Sequence, residues 1–347
     1  MPVIQPERKG IMVDFGELTN EQQIEQLQEL ARTALSAYGL GQANLTNRSY
    51  TENAVFEVQD EASGSHASLR VCRPTWEPEA LRRETAWLES LGRETELRVP
   101  TPIRTTDGDV LCIVESDGVP EPRACVLFAW VEGEFARPEE LTPARMEAVG
   151  RFLGSLHNHA QQEPDTTFSV KRFDANALAA SDHRESIRGY FKAESDLRAF
   201  DEAIEATLKA MRELGDGPTH AGIIHGDFHQ RNYVFDGDSI GALDFETLLW
   251  GYYVYDLATT LSYLVPRFLR DVDPEPLRAA VLDGYAQVRE LPHAIESLLR
   301  VFSAYRVWIM ADWLTASPRM LEQDWVRGQL DAMPEQVRAL LGTGRSD

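Results

Sequence analysis

Three polar residues between positions 225 and 246 have types and a spacing that suit the transfer of a phosphoryl group from ATP. Asp227 and Asn232 are separated by four residues, and Asp244 closes the apolar run that follows them. Asp and Asn supply the hard oxygen ligands that Mg²⁺ prefers, and this chemistry also needs a carboxylate beside the attacking hydroxyl. An Asp-rich turn without chemistry is the alternative interpretation, but chance seldom produces three such residues at this spacing.

Short β-type segments must position these three residues. Ile223 and Ile224 precede the polar loop, the apolar run 233–235 follows it, and the sequence Asp-Gly-Asp at 236–238 predicts a turn. The strand that returns from this turn would bring Asp244 back to the end of the hairpin where the loop lies.

Residues 225–232 (HGDFHQRN) and 243–246 (LDFE) resemble the signature of the aminoglycoside phosphotransferase, choline kinase and type II homoserine kinase superfamily. Protein kinases have the same arrangement. The resemblance implies that Asp227 orients or deprotonates the acceptor hydroxyl, and that Asn232 and Asp244 hold Mg²⁺. It therefore implies a kinase with ATP and Mg²⁺ as its cofactors.

Three further residues are expected to support the loop or the substrate. The family has an Asp-Leu-Ala after the motif, found here at 256–258, and the resemblance implies that Asp256 lies on a helix under the loop and anchors it. His225 is expected to brace the loop. His229 either braces it too or touches the substrate, and the sequence leaves both roles open.

The resemblance also implies the fold, which is an α+β, two-lobed protein-kinase-like fold. An N-lobe with an antiparallel sheet and helices is expected over residues 1–127, and an interlobe hinge over 128–133. A mainly helical C-lobe with the catalytic loop and the substrate cleft is expected over 134–347. A chain of 347 residues is long enough for two lobes with sizeable cores.

A charged residue lies in the apolar stripe of the helix predicted around residues 81–91. Glu84 comes three residues after Leu81 and four before Leu88, so it shares their face. A carboxylate that faces a core is costly unless it is paired, and Arg70 on the preceding strand is its natural partner. In kinases such a pair positions the cation that contacts the ATP phosphates. A solvent-facing Glu84 is the alternative.

The other ATP contacts are expected in the predicted N-lobe and hinge. The resemblance implies that a hairpin over residues 43–58 covers the phosphates, and Asn53 matches an Asn that is frequent at this point in the family. An ordinary polar turn would explain the composition of this segment equally well. The adenine ring is expected to hydrogen-bond to the backbone of Ala129 and Val131, beneath Phe128. The side chains at the hinge reveal little about such backbone contacts.

Helical spacing of apolar residues predicts further helices. One begins at Thr19 with a Thr-x-x-Gln capping box, one ends near His157, and a long charge-rich segment covers 184–214. An aromatic helix-like stretch follows Glu246 almost at once, and a closing helix covers 301–314. The aromatic residues of these segments are expected to pack in the core rather than to cage a quaternary amine, and His157 to pack or cap rather than to bind a metal.

The composition of the chain indicates which partners it lacks and in which compartment it is expected. The formal charge of −22 argues against nucleic acid as a partner. No apolar run reaches 18 residues without a charged residue, so the sequence predicts no membrane-spanning helix. The first nine residues lack an apolar signal core. Cys72, Cys112 and Cys125 lie in apolar strand-like runs, which predicts buried, reduced thiols in a cytoplasmic protein.

Three functions are compatible with these observations. The sequence favours a small-molecule kinase that acts on an amino-alcohol, an amino acid, a sugar or an aminoglycoside. A stress-response-type protein Ser/Thr kinase is the first alternative, and an inactive nucleotide-binding scaffold is the second. An acidic cleft would attract a cationic acceptor, but an acidic surface commonly serves solubility alone. The acceptor and the oligomeric state are not determined by the sequence.

Overall fold

The computed structural model describes residues 3–4, 15–163, 168 and 170–343. The chain divides into two compact units. The first unit comprises Met1–Glu132 with Gly241–Glu246, and the second comprises Gly133–Ile240 with Thr247–Asp347. The prediction about a signal core concerns residues 1–9, most of which lie outside the described residues.

The helices within the described ranges are α1 (Asn20–Ala37), α2 (Pro78–Glu94), α3 (Pro143–Gln162), α4 (Ala175–Ala180), α5 (Glu194–Leu214), α6 (Tyr253–Ser262), α7 (Pro266–Leu269), α8 (Pro274–Ala286), α9 (Ile295–Ala316), α10 (Pro318–Leu321) and α11 (Asp324–Leu341). The strands are β1 (Val3–Ile4), β2 (Asn44–Tyr50), β3 (Ala54–Asp60), β4 (Ser65–Val71), β5 (Pro102–Ile103), β6 (Cys112–Ser116), β7 (Val119–Ala129), β8 (Ala221–Ile224), β9 (Tyr233–Asp236), β10 (Ser239–Ala242) and β11 (Leu249–Tyr252). Short 3-10 helices lie at Phe15–Glu17, Pro138–Glu140, Ile187–Gly189 and Phe245–Thr247.

A seven-stranded sheet forms the centre of the first unit, in the order β1-β6-β7-β4-β3-β2 with β5 paired to β7. The neighbouring strands are antiparallel, except for β1 and β6. Phe56, Leu69 and Leu127 are aligned across β3, β4 and β7 and lie in the core against α1. Arg70 follows Leu69, so its side chain points to the opposite face of the sheet.

The predicted first helix and hairpin are both present. Thr19 Oγ1 accepts a hydrogen bond from the Gln22 N–H at 3.3 Å, and the Gln22 side chain accepts one from the Thr19 N–H at 3.0 Å. This capping box satisfies two backbone donors at the start of α1. Strands β2 and β3 form the hairpin that was expected over residues 43–58.

The segment 241–246 belongs to the first unit, although it was predicted to be part of the C-lobe. The Ala242 N–H donates to the Arg98 carbonyl at 2.9 Å, next to a bridge between Gly241 and Arg98. A Cβ atom on Gly241 would lie 2.4 Å from the Cγ1 atom of Val131, so glycine leaves room for the Val131 side chain. The division into 1–127, 128–133 and 134–347 otherwise stays a prediction.

The second unit is mainly helical. Helix α9 packs against α5, α6 and α11, and α3 packs against α8. Strands β8 and β11 form an antiparallel pair in this unit, and β9 and β10 form a hairpin in which the chain passes from this unit into the first. No helix of the described residues is both long enough and apolar enough to cross a bilayer.

Two predicted helical segments differ in extent from the helices of the structure. Helix α3 continues past His157 to Gln162, and α5 begins only at Glu194 rather than at residue 184. Between them the Asp182 carboxylate accepts a hydrogen bond from the Arg184 N–H at 3.1 Å. Such side-chain bonds to the backbone compete with a helix and favour a turn.

The aromatic stretch after Glu246 was predicted to be helix-like, but its first part is strand β11. Trp250 pairs with Ile223 and Tyr252 with Ala221 across the antiparallel ladder with β8. Aromatic side chains suit a buried strand as well as a buried helix, so the presence of a neighbouring strand determines which of the two forms. Helix α6 begins directly afterwards, at Tyr253.

The burial of side chains agrees with two other predictions. The aromatic residues that were expected in the core are buried, namely Trp250, Tyr252, Tyr253, Tyr255, Tyr305 and Trp308, whereas Trp313 is 47% exposed. The three cysteines are buried and free. Core packing therefore accounts for all but one of these aromatic residues.

Candidate active site

Arg70 on β4 and Glu84 on α2 form the predicted ion pair inside the first unit. Arg70 donates from Nη1 to Glu84 Oε1 at 3.0 Å and from Nη2 to Oε2 at 2.5 Å. The two residues are 7% and 3% exposed. Burial by itself lowers the pKa of the Arg70 guanidinium, but the charges of Glu84 and Asp244 contribute to raising it above its ordinary value. Arg70 is therefore a fixed cation held by a bidentate bond.

A second charged group of the first unit surrounds the end of β10. Asp244 has a φ of 57°, which is uncommon for a residue with a side chain. Asn53 Nδ2 donates to Glu246, while Asn53 Oδ1 accepts a hydrogen bond from the Arg73 N–H at 2.9 Å. Burial raises the pKa of the Glu246 carboxyl, and the charge of Asp244 raises it further. Asn53 thus joins the start of β3 to the segment that carries Asp244.

The hinge segment begins at the end of β7. Phe128 is 5% exposed, and the Arg70 guanidinium lies 5.1 Å from the centre of its ring. The Ala129 N–H donates to the Thr101 carbonyl at 2.8 Å. An adenine contact at Ala129 would therefore use its carbonyl oxygen. The contacts predicted at Ala129 and Val131 stay predictions.

The loop 225–232 of the second unit follows β8, and its first turn requires a glycine. Gly226 has a φ of 81°, and a Cβ atom there would lie 2.6 Å from the Thr247 carbonyl oxygen. Thr247 Oγ1 donates to the His225 carbonyl at 2.9 Å, and His225 Nδ1 accepts a hydrogen bond from the Asp227 N–H at 3.3 Å. These contacts tie His225 to both ends of the turn, and its bracing role stays a prediction.

Asp256 on α6 anchors the same turn from below. Its two carboxylate oxygens accept hydrogen bonds from the His225 N–H at 2.9 Å and the Gly226 N–H at 2.8 Å. His157 Nε2 lies 3.2 Å from Asp256 Oδ2, and His157 Nδ1 lies 2.9 Å from the Tyr285 hydroxyl. Burial lowers the pKa of His157, so the neutral ring donates to Asp256 and accepts from Tyr285. His157 packs and hydrogen-bonds here, as predicted.

The carboxylate of Asp227 has neighbours on both oxygens. Arg306 on α9 donates from Nη2 to Oδ1, and His229 Nε2 lies 3.4 Å from Oδ2. Burial by itself raises the pKa of Asp227, but the hydrogen bond from His229 and the charge of Arg306 outweigh it and lower the pKa below its ordinary value. Asp227 is therefore an ionised acceptor whose side chain is still 26% exposed.

Asn232 is fixed by the backbone of the loop that carries it. Its Nδ2 donates to the Asp227 carbonyl at 2.9 Å, and its own N–H donates to the His229 carbonyl at 2.7 Å. Because Nδ2 points toward Asp227, the side-chain oxygen of Asn232 is the atom that could bind a cation.

His229 contacts the loop backbone and Tyr263, and both roles predicted for it stay predictions. Its ring stacks on Tyr263 with the centroids 4.2 Å apart, and its Nδ1 accepts a hydrogen bond from the Arg231 N–H at 3.2 Å. Thr260 Oγ1 holds the loop as well, because it donates to the Phe228 carbonyl at 2.8 Å.

The contacts of Arg306, Thr247 and Thr260 with the loop were not predicted from the sequence. Arg306 is the only basic residue in the apolar run 301–314, and it is in helical register with Leu299 and Phe302. This isolated charge in an apolar stripe is the same signal that identified Glu84. Threonines that bond to nearby backbone have no comparable signature.

Comparison with known proteins gives a family match over most of the chain. The model of the phosphotransferase enzyme family matches residues 46–292. The homoserine kinase of Allorhizobium ampelinum is 29% identical over 234 residues, which cover 63% of this chain and 65% of the relative. The amicoumacin kinase of Bacillus subtilis is 24% identical over 151 residues, which cover 42% of this chain and 43% of the relative. The chain thus matches slightly less than two thirds of the length of that homoserine kinase.

Solved structures match the fold over a larger part of the chain. A microcompartment-associated aminopropanol kinase is similar with a TM-score of 0.74 and 25% identity, over 91% of this chain and 98% of that one. A spectinomycin phosphotransferase in complex with ADP and spectinomycin is similar with a TM-score of 0.60 and 12% identity, over 93% and 99% of the two chains. These similarities confirm the predicted α+β, protein-kinase-like fold. Because the family model covers the loop 225–232 and the segment 243–246 as well as most of the chain, the chain belongs to the phosphotransferase enzyme family.

Proposed function

We propose that this protein is an ATP-dependent kinase that transfers the γ-phosphoryl group to a hydroxyl of a small molecule. The observation that carries the proposal is the loop 225–232, where Asp227 is ionised and partly exposed and Asn232 is hydrogen-bonded to it. Asp256 fixes the backbone of this loop through two buried hydrogen bonds. Phosphoryl transfer depends mainly on such positioning and on electrostatic stabilisation.

In the proposed reaction Asp227 accepts the proton of the acceptor hydroxyl. The acceptor oxygen forms a bond to the γ-phosphorus, and the bond from that phosphorus to the β–γ bridging oxygen breaks. The electron pair of the broken bond leaves with ADP, so the products are ADP and the phosphate ester. A carboxylate with a low pKa suits the role of orienting the hydroxyl and taking its proton late in the step.

We further propose that Arg70, held by Glu84, contacts the ATP phosphates, as in kinases with a strand cation and a helix carboxylate. Asn232 and Asp244 are the proposed Mg²⁺ ligands. Asp244 and Glu246 are close enough for the charge of Asp244 to raise the pKa of Glu246, and a divalent cation would relieve this repulsion. Bound Mg²⁺ would neutralise charge on the phosphates.

Two observations support a small acceptor. The relatives and the structural neighbours include kinases named for homoserine, amicoumacin and aminopropanol. In this chain a 3-10 helix ends at Thr247 and β11 begins at Leu249, which leaves one residue between them where a peptide-binding segment would need more. We therefore propose an amino-alcohol, amino acid, sugar or aminoglycoside as the acceptor. The buried free thiols support a cytoplasmic location.

The test measures the transfer of labelled γ-phosphate from Mg-ATP by the wild type and by the Asp227→Asn variant. One pool of acceptors contains hydroxylated amines, amino acids, sugars and aminoglycosides, and a second contains dephosphorylated cell proteins. Asp238→Asn is the matched control, because Asp238 lies in the turn after the same loop and its side chain is 80% exposed.

We expect label in the small-molecule pool with the wild type and with Asp238→Asn. Asp227→Asn should lower turnover by roughly 10²–10⁴-fold and leave ATP binding nearly intact. Full activity of the Asp227→Asn variant would refute the assignment of this residue. Asp227-dependent label on protein would instead support the protein-kinase alternative.

A further inference from the structure

Arg306 is a buried cation on α9 whose side chain contacts Asp227. It is 7% exposed, and Nη2 donates to Asp227 Oδ1. Nη1 donates to the Tyr255 hydroxyl at 3.3 Å. Its Nε has no hydrogen-bond acceptor within the described part of the chain. The guanidinium is thus oriented by Asp227 and Tyr255.

A buried charge at this position is costly for the fold. Arg306 shares its helix face with Leu299 and Phe302, which are both buried. Removing a guanidinium from water costs several kcal/mol, and apolar residues that replace a buried ion pair are often equally stabilising. A function for the pair at Asp227 is the simpler explanation of the charge.

The surroundings of Arg306 hold its end of the pair in place. Tyr255 packs edge-on against Phe173, with centroids 5.6 Å apart, and against Tyr305, with centroids 5.9 Å apart. All three rings belong to one aromatic cluster. The Tyr255 hydroxyl, which accepts the hydrogen bond from Nη1, therefore has little freedom to move. Arg306 is therefore fixed from both sides, by Tyr255 and by Asp227.

The two oxygens of Asp227 are engaged unequally. Oδ1 has the direct bond from Arg306, whereas the nitrogen neighbours of Oδ2, His229 Nε2 and Asn232 Nδ2, both lie 3.4 Å away. An ordinary N–H···O bond measures about 2.9 Å, so Oδ2 is the oxygen that a new donor can approach.

We propose that Arg306 is a positioning residue that binds Oδ1 of Asp227 and so presents Oδ2 to the acceptor hydroxyl. This inference rests on the proposed function, in which the proton of the hydroxyl moves to Asp227. Oδ2 would receive that proton while Oδ1 keeps its hydrogen bond from Arg306 Nη2. Without Arg306 the carboxylate can rotate, and a displacement of about 1 Å can cost about 100-fold in rate.

The experiment compares steady-state kinetics of the wild type, Arg306→Met and Arg306→Lys, with the transfer assay and with slow hydrolysis of ATP as a second readout. Arg289→Met is the matched control, because Arg289 is 8% exposed and bonds to Asn158, Gln161 and the Thr219 carbonyl. The same Met substitution is also made in the Asp227→Asn background. Millimolar guanidinium is added to Arg306→Ala as a chemical rescue.

We expect Arg306→Met to lower kcat about 100-fold with a nearly unchanged KM for ATP. Arg306→Lys should keep part of the activity, guanidinium should restore part of it to Arg306→Ala, and Arg306→Met should add little to Asp227→Asn. Arg289→Met should affect thermal unfolding but not the kcat of the folded enzyme.

If the wild type is active, two results would overturn the proposed role of Arg306 without affecting the proposed kinase function. One is a wild-type kcat for Arg306→Met, and the other is a loss of equal size in the Asp227→Asn background. A wild type that shows no Asp227-dependent turnover in either readout would overturn the proposed function, and this inference with it.

Discussion

Asp256 on α6 and Gly226 in the loop are joined by a buried hydrogen bond of 2.8 Å, from the backbone N–H to the carboxylate. The neighbouring N–H of His225 donates to the other oxygen of the same carboxylate. One buried side chain thereby fixes the backbone that presents Asp227. Since Asp256 is fully buried, solvent cannot replace it.

Replacing Asp256 by Ala should destabilise the second unit strongly. Two backbone N–H groups and His157 would lose their acceptor, and each buried donor left unsatisfied costs about 1–3 kcal/mol. We expect the free energy of unfolding in urea to fall by about 3–5 kcal/mol. Asp273→Ala, which removes the exposed N-cap of α8, is the control and should cost about 1 kcal/mol. Equal losses for the two variants would contradict the anchoring role.

Variants of the Arg70–Glu84 pair should change the stability of the fold and the affinity for ATP independently of each other. Glu84→Ala leaves a buried cation without its partner, so we expect a loss of about 3–5 kcal/mol in the free energy of unfolding and weaker ATP binding. The double variant Arg70→Met/Glu84→Leu should recover most of the stability but not the affinity for ATP. Urea unfolding and calorimetric titration with Mg-ATP measure the two quantities. Recovery of ATP affinity in the double variant would show that Arg70 does not contact the nucleotide.

The turn at Gly226 should not accept alanine. The positive φ alone costs about 1–2 kcal/mol for a residue with a Cβ atom, and the Cβ would also lie 2.6 Å from the Thr247 carbonyl oxygen. Gly226→Ala should therefore lose more stability than Gly237→Ala, whose φ is 61° but whose Cβ would meet no atom within 4 Å. Thermal unfolding of both variants compares the two costs, and similar Tm values would argue against the steric clash.

His157 predicts a dependence of stability on pH. Burial lowers its pKa below the ordinary value of 6.5, so the unfolded chain binds more protons than the folded chain between the two pKa values. The stabilising effect of the neutral ring is present above pH 6.5 and is lost as the pH falls toward the lower, folded pKa. Urea unfolding at several pH values should show this loss in the wild type and less of it in His157→Gln. Parallel pH curves for the two proteins would refute the prediction.

The residue types and their spacing in the sequence were sufficient to predict the class of reaction. The motif 225–232 and the segment 243–246 predicted the family and the roles proposed for their polar residues. Glu84 was assigned a partner because a carboxylate within an apolar stripe must be neutralised, and the structure shows Arg70 there. Local rules suffice in these cases because the signal lies in a few neighbouring residues or in one helix face.

Tertiary structure decided what depends on partners distant in the sequence. Arg306 and Asp227 are 79 residues apart, so the position of α9 against the loop, and not a motif, makes them a pair. The segment 249–252 is a strand because β8 offers it a ladder, although its aromatic residues would suit a helix too. Spacing along one element is a local property that the sequence states directly, whereas the packing of one element against another depends on the whole fold.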